Sequence, residues 1–194
     1  MITYSIEYMV NLPDRPDLDM YKSMIPETIE LYVKGPHSLM KFKGGMAENL
    51  SGDILYKAKE KSLYTLHPSN HSAVQTSVAA LQNSDDKEMR AKKTSEKASL
   101  LGLTSTKYVV KDSLEGTETW VWCTPLPNAS TSLMVYFLES MTQYKITNME
   151  GLPLQIAFKG KEFNLNILPK SIVKKKISNQ LFIIPKDYTI SKTG

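Results

Sequence analysis

The chain has 194 residues, of which 41% are hydrophobic and 23% charged, and its formal net charge is +4. This composition excludes a disordered chain, and no run approaches the roughly 18 apolar residues of a membrane-spanning helix. One cysteine, Cys123, excludes an internal disulfide and a Cys-x-x-Cys pair.

The length fits a single domain spanning 1–194. Ile2, Tyr4, Ile6, Tyr8 and Val10 alternate and predict a first strand with one apolar face. Pro13 and Pro16 break it, and Asp17 or Asp19 is placed to cap a short helix over 20–24 that stops before Pro26. A second strand over 28–34 puts Ile29, Leu31 and Val33 on one face, and Gly35-Pro36 turns into a third over 38–43, ended by Gly44-Gly45. Strands over 51–57 and 62–66 follow around the charged turn Lys59-Glu60-Lys61, then a weaker one over 72–78. The polar stretch 82–96 reads as a mobile loop or an exposed helix.

Strands resume over 97–101, 106–111 and 117–123, the last two joined at Glu115-Gly116. Trp120 and Trp122 share one face of their strand, Val121 and Cys123 the other. Beyond Pro125 and Pro127, Ser130 or Thr131 is placed to cap a helix over 133–141, whose Leu133, Phe137 and Met141 form an apolar stripe; its β-branched and aromatic content also allows a strand. The last fifty residues read as strands over 154–158, 163–167, a basic 171–177, and a closing 181–188. Ten or so short strands with one or two helices predict a mainly β (α+β) fold. Its antiparallel sheet curls into a barrel or half-barrel, with helices plugging the concave face and an apolar cavity where the plug fits imperfectly.

No motif of catalysis is present. There is no Gly-x-Ser-x-Gly elbow, and Gly44-Gly45 lacks the Gly-Lys-Ser/Thr of a phosphate loop. His67 and His71 are four apart, but Pro68 interrupts the helix that chelation would need. No cofactor or metal is therefore expected. From Gly151 onward eight lysines stand against two acids, Glu162 and Asp187. Such a face suits anionic lipid or an acidic partner; it equally suits a solvated sheet that resists edge pairing. Lys174-Lys175-Lys176 has no stacking aromatic beside it, so nucleic acid is not expected.

Several segments, taken in order, carry a resemblance: Met24-Ile25-Pro26, Ile29-Glu30-Leu31-Tyr32-Val33-Lys34-Gly35, Lys107-Tyr108-Val109-Val110-Lys111-Asp112, Thr119-Trp120-Val121-Trp122, Gly151-Leu152-Pro153-Leu154 and Phe182-Ile183-Ile184-Pro185-Lys186-Asp187-Tyr188. This order resembles a family of exported bacterial domains of unknown function, similar in fold to the periplasmic lipoprotein-carrier (LolA/LolB-like) proteins. Where relatives read Gly-x-x-Cys-x-x-Tyr, this chain has Ser105 at the cysteine position between Gly102 and Tyr108.

The resemblance implies a strongly curved antiparallel sheet, an open half-barrel around one to three helices. It also implies a periplasmic or outer-membrane location, with the export signal absent ahead of Met1, and a non-enzymatic role in binding a lipid or lipoprotein acyl chain. On that reading Tyr4, Ile6, Tyr8, Ile29, Leu31, Val33, Trp120, Trp122, Leu154, Ile156 and Phe158 are the candidate cavity residues. Lys174, Lys175 and Lys176 are candidates for docking to an anionic membrane surface or envelope protein, and the protein is expected to act as a monomer. The alternative is a protein-interaction module of the envelope with a packed core and no ligand.

Overall fold

The computed structural model describes residues 3–13, 19–79, 88–112, 116–126, 132–142, 144–160 and 164–193. The first half runs β1 (Thr3–Asn11), α1 (Asp19–Met24), β2 (Thr28–Lys34), β3 (His37–Lys43), α2 (Ala47–Leu50), β4 (Asp53–Lys57), β5 (Ser62–His67) and β6 (Ser72–Ser77). The second runs β7 (Glu88–Arg90), β8 (Lys92–Leu100), β9 (Leu103–Asp112), β10 (Thr117–Thr124), α3 (Ser132–Thr142), β11 (Lys145–Thr147), β12 (Leu152–Lys159), β13 (Asn164–Lys174) and β14 (Thr189–Lys192).

Twelve strands form one sheet in the order β14-β6-β5-β4-β3-β2-β1-β13-β12-β10-β9-β8, while β7 and β11 make a small parallel pair. The large sheet is strongly curved and does not close, so the molecule is an open half-barrel. All its pairings are antiparallel except β14 on β6. Two meanders meet where β1 pairs with β13, from Tyr4↔Lys174 to Asn11↔Asn166.

Alternation explains which face each strand buries. In β2, Ile29, Leu31 and Val33 point inward and are at most 1% exposed. They join Ile6, Tyr8, Met40, Tyr108, Val121, Leu154 and Ile156 in a core that α3 closes with Leu133, Met134 and Leu138. Helix α3 is thus the plug of the concave face. The small β7–β11 pair tethers its exit, where the Ile146 amide donates to Glu139 Oε1 at 2.9 Å and the Ala91 amide to the Thr147 carbonyl at 2.9 Å.

Two prolines sit inside strands without breaking them. The register of β1 and β13 shifts between Glu7 and Tyr8, where Pro169 pairs with Tyr8 and Ser171 with Glu7. The register of β10 and β12 shifts where Cys123 pairs with Pro153. An irregular ladder step is where a residue without an N–H costs least.

The structure corrects several expectations. Residues 88–90 and 92–96 are strand, not loop or helix: β7 and the first half of β8 lie there, while residues 82–87 fall outside the described part. Strand β8 is an edge strand with exposed Lys92, Lys93, Glu96 and Lys97. It shows no hydrophobic alternation because it buries almost nothing. The separate strands expected over 163–167 and 171–177 are one strand ending at Lys174. The segment 181–188 is not a strand. A 3₁₀ turn spans Asn179–Phe182, with the Ser178 hydroxyl accepting from the Gln180 amide, and only then does β14 begin. This C-terminal strap crosses the convex face, where Ile177 and Phe182 bury against Leu39, Leu55, Tyr64, Leu66 and Ala73. The helix-cap positions Asp17, Ser130 and Thr131 and the turn residue Glu115 lie outside the described residues.

Ser105 is fully buried, and its hydroxyl has no hydrogen-bond partner among the described residues. An unmet buried hydroxyl costs about 1–3 kcal/mol. Ser105→Ala is therefore expected to stabilise the fold by about 1 kcal/mol, read as a higher urea midpoint; a lower midpoint would show that the hydroxyl is satisfied.

Candidate ligand-binding site

An apolar pocket of about 230 Å³ opens at the end of the half-barrel where β1 finishes. Val10 of β1, Phe42 of β3 and Leu165 and Ile167 of β13 form its sheet wall. Phe137 and Met141 of α3 form the opposite wall, and Met24, Ile25, Pro26 and Ser51 close the rim. Ser51 is the one polar residue among these ten.

Each wall has a local cause. Phe137 and Met141 are four apart on α3, so they share a face one turn beyond the fully buried Leu133, Met134 and Leu138. The Phe137 ring lies 5.8 Å from that of Phe42, tilted by 39°. The rim depends on Gly45. A Cβ there would lie 2.4 Å from the Ile25 carbonyl oxygen, and its φ is +62°. That close approach lets the Met46 amide donate to the Ser23 carbonyl at 2.6 Å, locking the end of α1 to the start of α2.

Met24, 50% exposed, and Ser51, also exposed, stand at the mouth. Three further apolar side chains on the flanking segments are exposed: Met20 one turn earlier on α1, Met46 next to Gly45, and Leu50 next to Ser51. Two nearby lysines are paired. Lys43 Nζ lies 3.0 Å from Glu48 Oε1, and Lys22 Nζ lies 3.5 Å from Asp19. The Gly44 amide and the Lys43 ammonium hold the Glu48 carboxyl below its usual range, and Glu48 in turn raises Lys43.

The expected cavity residues divide into three sets. Ile6, Tyr8, Ile29, Leu31, Val33, Leu154 and Ile156 do converge on the concave face, but packed beneath α3, and none lines this pocket. Phe158 is half-buried and pairs with the pocket residue Leu165. The side chain of Tyr4 lies outside the described part of the structure. Trp120 and Trp122 are on the other face of β10 from the buried Val121 and Cys123. Lys107 Nζ sits 4.0 Å above the Trp120 ring and 5.8 Å from that of Trp122, while Lys159 Nζ sits 3.5 Å from Trp120. Lys107 is also anchored by both Glu96 carboxylate oxygens, at 3.2 and 3.1 Å. The tryptophans thus form a convex cation–π cluster rather than a cavity lining.

Lys174, Lys175 and Lys176 are exposed at the opposite end of the sheet, where β13 passes Tyr4. No group of three His, Cys, Asp or Glu side chains arranged to hold a metal occurs among the described residues. His71 Nδ1 pairs with Asp187 at 2.6 Å, and a 3₁₀ turn over Pro68–Asn70 separates it from His67.

Neither a family model nor a curated protein matches the chain. Solved structures that align with the chain include the following. An uncharacterized conserved protein from Thermus thermophilus aligns with a TM-score of 0.48 at 10% identity, over 98% of this chain and 90% of that one. LprF from Mycobacterium bovis aligns with a TM-score of 0.34 at 12% identity, over 96% and 90%. PNGF-II in its C2 crystal form aligns with a TM-score of 0.61 at 18% identity, over all of this chain and 31% of PNGF-II. The chain thus spans about a third of the length of PNGF-II, with which it shares its fold.

Proposed function

We propose that the protein is a non-enzymatic binding protein for the apolar end of a lipid or lipoprotein acyl chain, of the LolA/LolB-like kind and resident in the periplasm or at the outer membrane. The observation that carries this reading is the apolar pocket with Met24 exposed at its rim, and Met20, Met46 and Leu50 exposed on the segments that flank that rim in sequence. Exposed apolar side chains grouped around a hollow mark a binding surface, and methionine adapts to guests of varied shape.

The volume bounds the guest. Engineered cavities of about 150 Å³ admit benzene, whereas whole drug-sized ligands occupy roughly 300 Å³ or more. A pocket of about 230 Å³ therefore suits a chain terminus of about seven methylenes, at roughly 30 Å³ each. At about 0.8 kcal/mol per methylene the gross gain is roughly 5–6 kcal/mol before the cost of association, so the complex is weak enough for release as well as capture.

The test is mass spectrometry of organic extracts of the purified protein, followed by titration with fatty acids of increasing length. Affinity is expected to climb to about seven buried methylenes and then level off. Ser51 is exposed at the rim, so Ser51→Trp is expected to block the mouth and weaken binding at least tenfold without lowering thermal stability. No binding at any chain length would favour the interaction module with a packed core. Binding untouched by Ser51→Trp would move the site elsewhere.

A further inference from the structure

We infer that the end of the half-barrel opposite the pocket is a docking surface for an anionic lipid bilayer, and that a docked molecule holds its pocket away from that bilayer. This does not depend on what the pocket binds.

Strand register brings together residues far apart in sequence. Lys174 pairs with Tyr4, Thr3 with Lys34, Lys34 with His37, and Lys57 with Ser62. One end row of the sheet therefore runs through Lys174, Lys34 and Lys57. The β4–β5 turn adds Lys59 and Lys61 just beyond it, and the chain leaving β13 adds Lys175 and Lys176. From β13 to β4 the row crosses four inter-strand gaps, about 19 Å in all.

Lys34 and Lys57 are engaged: Lys34 Nζ donates to the Ile177 carbonyl at 2.5 Å, and Lys57 pairs with Glu60 at 3.2 Å. Lys59, Lys61, Lys174, Lys175 and Lys176 are exposed, and none forms an ion pair with a described residue. Beside the pocket, Lys22 and Lys43 are each matched to a carboxylate. Five exposed lysines without a carboxylate partner are thus clustered at the end of β13 and in the β4–β5 turn, whereas Lys92 and Lys159, also without an ion pair to a described residue, stand apart on β8 and β12.

The chemistry of this end fits a bilayer. Its cations are all lysine, compact charges on flexible stems that suit a diffuse phosphate field rather than bidentate recognition. Among the described side chains, the aromatic beside the triplet is Tyr32, whose ring has Lys175 Nζ 5.8 Å from its centre. Val173, 49% exposed next to Lys174, can enter the headgroup layer. Val10, at the pocket, is six residues along β1 from Tyr4, about 20 Å. Docking by the lysines therefore leaves the pocket mouth facing away from the surface, toward a donor or acceptor in solution.

The test is co-sedimentation with phosphatidylcholine vesicles, with and without phosphatidylglycerol, at low and high salt. The protein is expected to bind only the phosphatidylglycerol vesicles and to release at high salt. Substituting Lys59, Lys61, Lys174, Lys175 and Lys176 by Gln one after another is expected to lower partitioning about fivefold per lysine. Lys22→Gln and Lys43→Gln are expected to leave it unchanged. Equal binding to neutral vesicles, no binding to phosphatidylglycerol, binding to heparin but not vesicles, or indifference to the five substitutions would each overturn the inference. Orientation is read from a polarity-sensitive dye on Met46→Cys, since Cys123 is buried. No spectral shift on vesicle binding is expected, and a blue shift would show that the pocket end enters the membrane.

Discussion

Ending the chain after Lys174 is expected to leave a protein that does not fold stably. The deletion removes Ile177 and Phe182, which are 6% and 8% exposed, and uncovers Leu39, Leu55, Tyr64, Leu66 and Ala73. Full burial of a large apolar side chain is worth about 1.5–3 kcal/mol, so the loss is on the order of 5–10 kcal/mol. That rivals the roughly 5–15 kcal/mol that holds an ordinary domain together. The deletion also strips β14 from β6 and leaves the backbone of Ser72–Ser77 as an open edge, a template for aggregation.

Two milder variants separate these effects. Phe182→Ala is expected to cost about 3 kcal/mol while keeping the edge covered. Ending the chain after Tyr188 removes only β14, whose four side chains are all exposed, and is expected to promote association with little loss of monomer stability. Urea unfolding and light scattering measure the two separately. A chain ending at Lys174 that stays monomeric at unchanged stability would show that the convex apolar face needs no cover.

The strap also shows where sequence reading stops. Strands with one dry and one wet face are legible, because alternation is a property of each segment alone: 28–34 matches β2, and the 117–123 reading falls one residue short of β10. The short helix after the first strand and the stripe of Leu133, Phe137 and Met141 are legible for the same reason. What failed depends on partners elsewhere in the chain. Edge strand β8 has no buried face to reveal its first half, so only 97–101 reads as strand, and the gap left between 163–167 and 171–177 closes only once the register shift of Pro169 against Tyr8 is known. Leu181, Phe182 and Ile184 read as strand because apolar content alone cannot tell a strand from a segment laid over one.

The site follows the same logic. The most regularly apolar residues, Ile6, Tyr8, Ile29, Leu31 and Val33, are those that α3 covers most completely, so they make core rather than cavity. The hollow forms past the end of that packing, where Phe137 and Met141 meet residues from five other segments. Its one legible signal is the helix stripe running past the point where the core is full. The tryptophans misled for a different reason. Their strand face was right, but which face of the sheet is concave is decided by curvature, and curvature is not a property of one strand.

Raising the pH is expected to destabilise the protein in two steps that begin near pH 9. Tyr8 is fully buried and donates its hydroxyl to the Pro153 carbonyl at 3.0 Å, and Pro153 pairs with the buried Cys123. Burial pushes the Cys123 thiol from 9.0 up to about 12. Burial, with Cys123 adding to it, pushes the Tyr8 phenol far above its ordinary 10.0. The native state therefore keeps both protons when the unfolded chain has released them. The unfolded state binds fewer protons, so stability is intact below pH 9 and falls as pH rises.

The slope is about 1.4 kcal/mol per pH unit between pH 9 and 10, where only the thiol counts. Above pH 10 it roughly doubles, giving a loss of about 4 kcal/mol by pH 11. Tyr32 and Tyr64, both raised to about 12 by burial first and then by Glu30 and Glu60, act in the same direction above pH 10. Tyr8→Phe keeps the ring, loses one hydrogen bond worth about 1 kcal/mol at neutral pH, and is expected to flatten only the second step. Cys123→Ala is expected to remove the first. Urea midpoints followed through this range decide the matter: a Tyr8→Phe curve parallel to that of the parent above pH 10 would mean that the Tyr8 phenol ionises as readily in the folded protein as in the unfolded chain.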